Sequence, residues 1–238
     1  MVDHAPKNIT KNIYVGEYDK EMIQAAKDLK KIGDEYGGFF IRTLREMNLS
    51  GNPSGWPRWG GNPKKFKKAW NHIWNIIENE GTNEYATWVF NPYVGPGPLG
   101  DVTSYIKKYM PDSDKFDWIG GNAYNLGNQS WGTDYSFKSL FGSFAKFALK
   151  HCPDKPVMAC NTGTYEGSSK PQWTSNMFET LEVKYRHFKA IAIWSKNWSH
   201  GSVRNFDSRI DSSPEAIEAY KQRIPDPYFI GKIPYKNH

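Results

Sequence analysis

An α/β fold of the (β/α)-barrel type is what this sequence predicts, and three observations predict it. Short apolar runs at 39–44, 86–90, 116–120, 156–160 and 190–194 recur about every 30 to 40 residues and read as strands. Between them lie stretches with apolar residues at helical spacing, so strand and helix alternate as in parallel βα units. Polar and aromatic residues gather just after the runs, where the carboxyl ends of parallel strands carry variable loops on a rigid frame. A doubly wound sheet is the competing architecture. No Gly-rich phosphate fingerprint follows any run, so nucleotide binding lacks support.

Each element has its own local reason. Residues 1–15 are polar and show no periodicity before Ile13-Tyr14-Val15 and the turn at Gly16. From Asp19 a helix is expected, capped by that residue, with Met22, Ala25, Ala26, Leu29 and Ile32 on one face and Gly37-Gly38 as its stop. The run Phe39 to Leu44 reads as a buried strand that ends abruptly in Arg45-Glu46-Met47-Asn48. A Gly/Pro/Trp-rich loop from Gly51 to Gly61 follows, then Asn62-Pro63, a cap followed by proline in the first turn, and a stripe of Phe66, Ala69, Trp70, Ile73 and Ile77 closed by Gly81.

The strand at 86–90 ends in Asn91-Pro92, and a short helix with Val102, Tyr105, Ile106 and Tyr109 aligned stops at Pro111. The strand at 116–120 ends near Asn122, Tyr124 and Asn125. A loop with Trp131 leads to a helix bearing Phe137, Leu140, Phe141, Phe144 and Ala148. The strand at 156–160 ends at Asn161-Thr162-Gly163-Thr164, a looser helix spans 174–186, and the strand at 190–194 ends in a polar loop. Ser213-Pro214-Glu215 opens a last helix, and the Pro-rich tail 225–238 is expected to lie extended.

A chain of 238 residues can bury a substantial core, and it reads as one domain over 1–238. Hydrophobic content is 38%, yet aromatics reach 16% with ten Trp, so flat faces for ligand stacking are plausible at the strand ends. The net charge is +6, but the Lys64-Lys65 and Lys67-Lys68 pairs fall on the polar face of a helix, so nucleic acid is not the expected partner. Cys152 and Cys160 form no disulfide framework and no zinc spacing, and no cofactor or metal is expected. With no signal peptide and no long apolar stretch in this sequence, it reads as soluble, without a membrane partner.

Glu46 is the first candidate for chemistry, because a carboxylate at the end of an apolar strand sits where such folds place their sites. The competing reading is a strand-end carboxylate paired with Arg42 or Arg45.

The strand ends resemble glycoside hydrolase family 26, a group of retaining β-mannanases and related β-glycanases on a TIM barrel. The match runs from about Gly16 to Tyr220. Arg42 to Asn48, with Trp56 and Trp59 behind it, is similar to the family's fourth-strand motif, in which an Arg-containing strand ends in His-Glu-Met-Asn. Gly16-Glu17-Tyr18-Asp19, Trp88 to Pro92, Asp117 to Gly120 with Tyr124-Asn125, Lys155 to Met158 with Thr162-Gly163, and Lys170 with Trp173 supply further pieces in order.

The resemblance implies that Glu46 is the general acid/base, Tyr124 a support of the site and Trp194 a sugar platform. It departs from the family at three points. Asn161 stands where the family has its nucleophilic glutamate, and an amide has no anionic oxygen to attack an anomeric carbon. Arg45 replaces the family's His beside Glu46, and a fixed cation there favours the ionised carboxylate, a poorer acid. Third, the alignment places Met1 after the third strand, so the (β/α)8 barrel is expected to be incomplete, with about five of eight units, and another chain could complete it.

The expected function is therefore the binding of a β-linked polysaccharide or oligosaccharide, mannan-like or mixed-linkage glucan, with retaining hydrolysis lost. Trp59, Trp131 or Trp194 would stack on pyranose faces, while Asn91, Asn122 and Asn125 bond hydroxyls. Two alternatives stay open. One is an active hydrolase using Glu46 as acid with Glu17, Asp134 or Glu166 as base; the other is a degenerate structural or partner-binding domain.

Overall fold

The structure, a computed structural model, describes residues 8–49, 59–95, 102–127, 134–200 and 203–230, and only the backbone of 102–104, 198–200 and 203–205. Five strands form a parallel sheet in the order β1-β2-β3-β4-β5: β1 (Phe39–Ile41), β2 (Ala86–Phe90), β3 (Trp118–Asn125), β4 (Val157–Thr164) and β5 (Phe188–Ile193). Helices α1 (Ile9–Tyr14) and α2 (Asp19–Tyr36) precede β1, and α3 (Pro63–Asn79), α4 (Val102–Tyr109), α5 (Phe137–His151) and α6 (Lys170–Glu179) separate the strands that follow. A hairpin of β6 (Asn197–His200) and β7 (Val203–Asp207) then leads to α7 (Pro214–Arg223). The chain divides into two compact units, Met1–Tyr93 with Gly97–Gly120, and Val94–Pro96 with Gly121–His238.

In the first unit the core is aromatic. Phe66 and Trp70 on α3 are fully buried, with Trp70 5.5 Å from Trp88 and Phe66 edge-on to Tyr109 at 5.4 Å. Each buried indole finds an acceptor, Trp70 Nε1 at Lys115 O and Trp88 Nε1 at Asn83 Oδ1, which is what allows a Trp to be buried without an orphan donor. Helix α3 starts where its sequence says, with Asn62 Oδ1 accepting from Lys65 N at 3.0 Å and Pro63 in the first turn.

In the second unit α5 buries Phe137, Leu140, Phe141, Phe144 and Ala148, and its rings meet Phe188 of β5 at 5.9 and 6.2 Å.

The structure corrects several expectations. The 39–44 run is a strand only as far as Ile41, and it is not buried, since Phe40 is 49% exposed. Strand β1 ends the order and pairs on one side only, so half of it has no neighbour to cover it among the described residues. On α2 the buried positions are Ala26 and Gly33, while Ile32 is exposed. A Cβ on Gly33 would lie 2.3 Å from Cγ of Tyr85, so the missing side chain admits that ring and turns the helix toward it.

Helix α1 and the β6/β7 hairpin occupy stretches read as irregular. For the hairpin a signal was present, because Gly201-Ser202 is a two-residue hairpin dipeptide between the two strand segments. Strands β3 and β4 run on through Asn122 to Asn125 and Asn161 to Thr164, so these residues belong to strands rather than to the loops after them. After α7, residues 224–229 form turns, with Phe229 4.9 Å from Phe178.

Candidate functional site

In the first unit the polar groups gather where β1 gives way to a tight turn. Leu44 and Glu46 both adopt left-handed backbone, with φ of 47° and 60°. For non-glycine residues this costs on the order of 1–2 kcal/mol each, and several bonds hold the turn against that cost. Glu46 N–H donates to Asn91 O at 2.8 Å, Leu49 N–H to Glu46 O at 3.0 Å, and Trp59 Nε1 to Arg45 O at 2.7 Å. Asn48 and Tyr93 bond reciprocally, through Asn48 Nδ2 to Tyr93 O at 2.7 Å and Tyr93 N to Asn48 Oδ1 at 2.9 Å. Glu46 is thereby fixed with only 8% exposure, and Arg42 Nη1 lies 3.4 Å from Asn91 Oδ1.

Trp59 is anchored by its indole N–H and half-buried, while Asn91 is fully buried and also reaches Pro92 O. Strained non-glycine backbone held by its surroundings is a recurring mark of functional positions.

In the second unit the polar groups lie within strands. The β4–β5 register slips between Ala159/Ile191 and Thr162/Ile193, so a bulge falls at Cys160-Asn161 and re-aims the side chains there. Asn161 is 9% exposed. Trp194 N–H donates to Thr162 O at 2.8 Å, which holds Trp194 beside that bulge. Its ring meets Tyr124 edge-on at 6.2 Å and 78°, and its buried Nε1 has no partner among the described residues.

Asn125 has a different task. Its Nδ2 donates to Asp134 Oδ1 at 2.7 Å and Thr164 Oγ1 at 2.9 Å, and its Oδ1 accepts from Tyr135 N at 3.0 Å and Gly127 N at 3.3 Å. All four of its hydrogen-bonding positions are thus taken by the protein. Asn122 is fully buried, and its carbonyl accepts from Val94 N. Trp56 and Trp131 lie outside the described residues.

Of the carboxylates that could serve as a second base, Glu17 lies exposed in the turn between α1 and α2, and Asp134 accepts from Asn125. Glu166 accepts from Lys170 Nζ at 3.1 Å and from Ser212 Oγ. Burial pushes the Glu166 carboxyl up, but the bonds from Ser212 and Lys170 outweigh it and leave it below the ordinary carboxylate range. Reading by residue type alone gave no role to Thr164 or Ser208, whose partners Asn125 and Trp194 lie elsewhere in the sequence.

Comparison with known proteins can now be set beside this geometry. No protein-family profile matches the chain. Its structure superposes on the catalytic domain of an endo-β-1,4-mannanase of family 26 from Bacillus sp. JAMB-750 with a TM-score of 0.67 at 15% identity, covering 96% of this chain and 62% of that one.

The chain carries the fold of the family 26 glycoside hydrolases.

A Cellulomonas fimi endo-β-1,4-mannanase agrees, with a TM-score of 0.66 at 14% identity over 95% of this chain and 51% of that one. In sequence, endoglucanase H of Acetivibrio thermocellus is 31% identical over 220 residues, 90% of this chain and 23% of the relative. The chain therefore spans less than two thirds of the length of each of these relatives. Its five parallel strands correspond to part of the (β/α)8 barrel of the family 26 fold, as the motifs at the strand ends led one to expect.

Proposed function

We propose that this chain binds a β-linked glycan at the strand ends carrying Asn161, Tyr124 and Trp194, and that it does not perform retaining hydrolysis. The observation that carries the reading is Trp194, whose buried indole N–H has no partner among the described residues and whose ring stands edge-on to Tyr124. Leaving a buried polar group unpaired costs about 1–3 kcal/mol, so an indole N–H left open beside the bulge suits a ligand that accepts from it. Sugar hydroxyls can accept from such a donor. The edge-on Tyr124 and Trp194 rings offer the apolar faces on which pyranose C–H groups stack.

By resemblance Asn161 stands at the nucleophile position and Glu46 at the acid/base position. Retention needs a second carboxylate about 5–5.5 Å from the first, and an amide cannot form the glycosyl ester. Loss of one such group removes transition-state stabilisation while leaving most ground-state affinity. Endo-mannanases share the fold and an endoglucanase shares the sequence, so β-mannan and mixed-linkage β-glucan are the ligands to test first.

Titration calorimetry with mannohexaose and mixed-linkage gluco-oligosaccharides, run beside a reducing-end assay, tests both halves. Saturable binding without product is expected, and Asn161→Glu should convert binding into slow hydrolysis with retention at the anomeric carbon. Wild-type hydrolysis that survives Asn161→Ala would overturn the loss of catalysis. Absence of binding to every β-glycan would overturn the glycan reading itself.

A further inference from the structure

Lys170 opens α6 and is 1% exposed, an unusual place for an ammonium group unless its hydrogen bonds are met. Its Nζ lies 2.6 Å from Ser212 Oγ, 2.8 Å from Arg209 O, 3.1 Å from Glu166 Oε2 and 3.2 Å from Asp207 O. Two of these acceptors, the carbonyls of Asp207 and Arg209, flank Ser208 on either side. The cation therefore grips the end of β7 and the segment after it at the carbonyls of the residues on either side of Ser208.

Ser208 is itself 1% exposed and works as a staple. Its Oγ donates to Trp194 O at 2.5 Å, and its backbone N–H donates to Lys196 O at 3.0 Å. A Cβ placed on Gly163 would lie 3.3 Å from both Ser208 Cβ and Trp194 O, so glycine at that position lets the staple close onto β4. On the other side Trp194 N–H is held by Thr162 O. Both peptide groups of Trp194 are thus fixed, one by β4 and one by a serine whose own flanks are fixed by Lys170.

We infer that Lys170 is a positioning residue for the Trp194 indole, acting through Ser208, so that glycan affinity at this platform depends on a buried cation that touches no sugar. The inference rests on the reading of Trp194 as a glycan platform. Glu166 and Ser212 complete the arrangement by giving the ammonium an anionic and a hydroxyl partner. A buried charge is tolerable only with such partners. Arg209 points its guanidinium at the Asp207 carboxylate, at 2.7 Å, while its carbonyl accepts from Lys170 Nζ and from Ser212 N–H.

The test uses protein labelled with 5-fluorotryptophan, with the Trp194 resonance assigned by Trp194→Phe, and mannohexaose as the probe. Lys170→Met should shift or broaden the Trp194 resonance, leave those of Trp70 and Trp88 in place, and weaken mannohexaose binding about ten-fold. Lys170→Arg should retain part of the affinity. In a Trp194→Ala background Lys170→Met should cost no further affinity, because its effect passes through that ring.

An unmoved Trp194 resonance in folded Lys170→Met protein, or an equal loss of affinity in the Trp194→Ala background, overturns the inference. Should Lys170→Met not fold, Ser208→Ala keeps the cation and removes the staple. The same Trp194 resonance must then move, and its constancy is equally fatal. If mannohexaose and mixed-linkage oligosaccharides do not bind at all, the proposed function falls, while the fluorine spectra still decide whether Lys170 governs Trp194.

Discussion

The two compact units hold their polar strand-end residues by different means. In the unit of Met1–Tyr93 and Gly97–Gly120 the backbone itself is bent into unfavourable shapes. Among the described residues every positive-φ position except Gly127 lies there, including the non-glycines Asn8, Leu44 and Glu46. The unit of Val94–Pro96 and Gly121–His238 keeps the later part of β3, from Gly121 to Asn125, and all eight residues of β4 extended, and fixes its loops by side-chain hubs at Asn125, Lys170 and Ser208. A strained turn aims one residue, whereas a long bulged strand with pinned loops holds several polar groups in fixed order. The difference teaches where substitutions will hurt.

The largest effect is expected from comparing two left-handed glycines. A Cβ at Gly127, with φ of 59°, would lie 2.1 Å from the Tyr165 ring. Gly127→Ala should lower stability by about 2–4 kcal/mol, joining overpacking to backbone strain. Gly81, with φ of 69°, faces only the end of the Lys30 side chain at 3.2 Å, and Gly81→Ala should cost about 1 kcal/mol, the conformational part alone. Urea unfolding of both variants measures the difference, and equal costs would show that side-chain packing does not dominate in the second unit.

How far this contrast could be read in advance differs between fold and site. The parallel βα order, the capped start of α3 and the buried stripe of α5 follow from periodicity and from local cap chemistry, and such signals survive in any sequence. Strand ends are less legible. Apolar character stops at Ile41 and at Cys160 alike, yet the chain turns away after the first and stays extended through Thr164 after the second. That difference depends on Asn91 O, Trp59 and Tyr93 in one case and on pairing with β5 in the other, all distant in sequence.

Asn125 illustrates the same limit for the site. Its type and place suggested a sugar contact, and only the structure shows its amide fully occupied by Asp134, Thr164, Tyr135 and Gly127. Lys170 was visible as part of a motif, but its burial was not, because a lysine ahead of a helix expected only from 174 reads as solvated.

A finer probe of the same contrast replaces the two strand-end residues themselves. At Glu46, where φ is 60°, Glu46→Gly should be more stable than Glu46→Ala by about 1 kcal/mol, the reverse of the usual order, because glycine alone occupies left-handed backbone freely. At Asn161, inside β4, Asn161→Gly should instead be less stable than Asn161→Ala by about 0.5–1 kcal/mol. Both side-chain deletions are matched within each pair, so urea midpoints isolate the backbone term. The same sign at both sites would mean that the turn at Glu46 carries no strain.

The smallest effect concerns acid stability and belongs to the second unit. Burial pushes the Glu166 carboxyl up, but the bonds from Ser212 and Lys170 together with the Lys170 charge outweigh it and hold the carboxyl below its ordinary value of 4.5, while burial pulls the Lys170 ammonium below its ordinary 10.5 despite the Glu166 bond. The two directions look inconsistent for one ion pair. They agree once the exposure is considered: the Lys170 side chain is 1% exposed and carries the greater desolvation, whereas Glu166 is 32% exposed and keeps the benefit of its donors. A carboxyl whose folded value is depressed contributes stability above its unfolded value and loses it as pH falls through the folded one. Asp207, held low by the Arg209 fork, adds a second group of the same sign below 3.8. Stability should therefore decline as pH drops below about 4.5, and Glu166→Gln should flatten the upper part of that decline while leaving the part due to Asp207. Lys170 does not reverse the trend, because a lowered ammonium value acts only on the alkaline side, where the unfolded chain holds more protons and stability rises with pH. Thermal unfolding of wild type and Glu166→Gln between pH 3 and pH 6 measures this, and parallel curves for the two proteins would show that the Lys170 clamp gains nothing from the Glu166 charge.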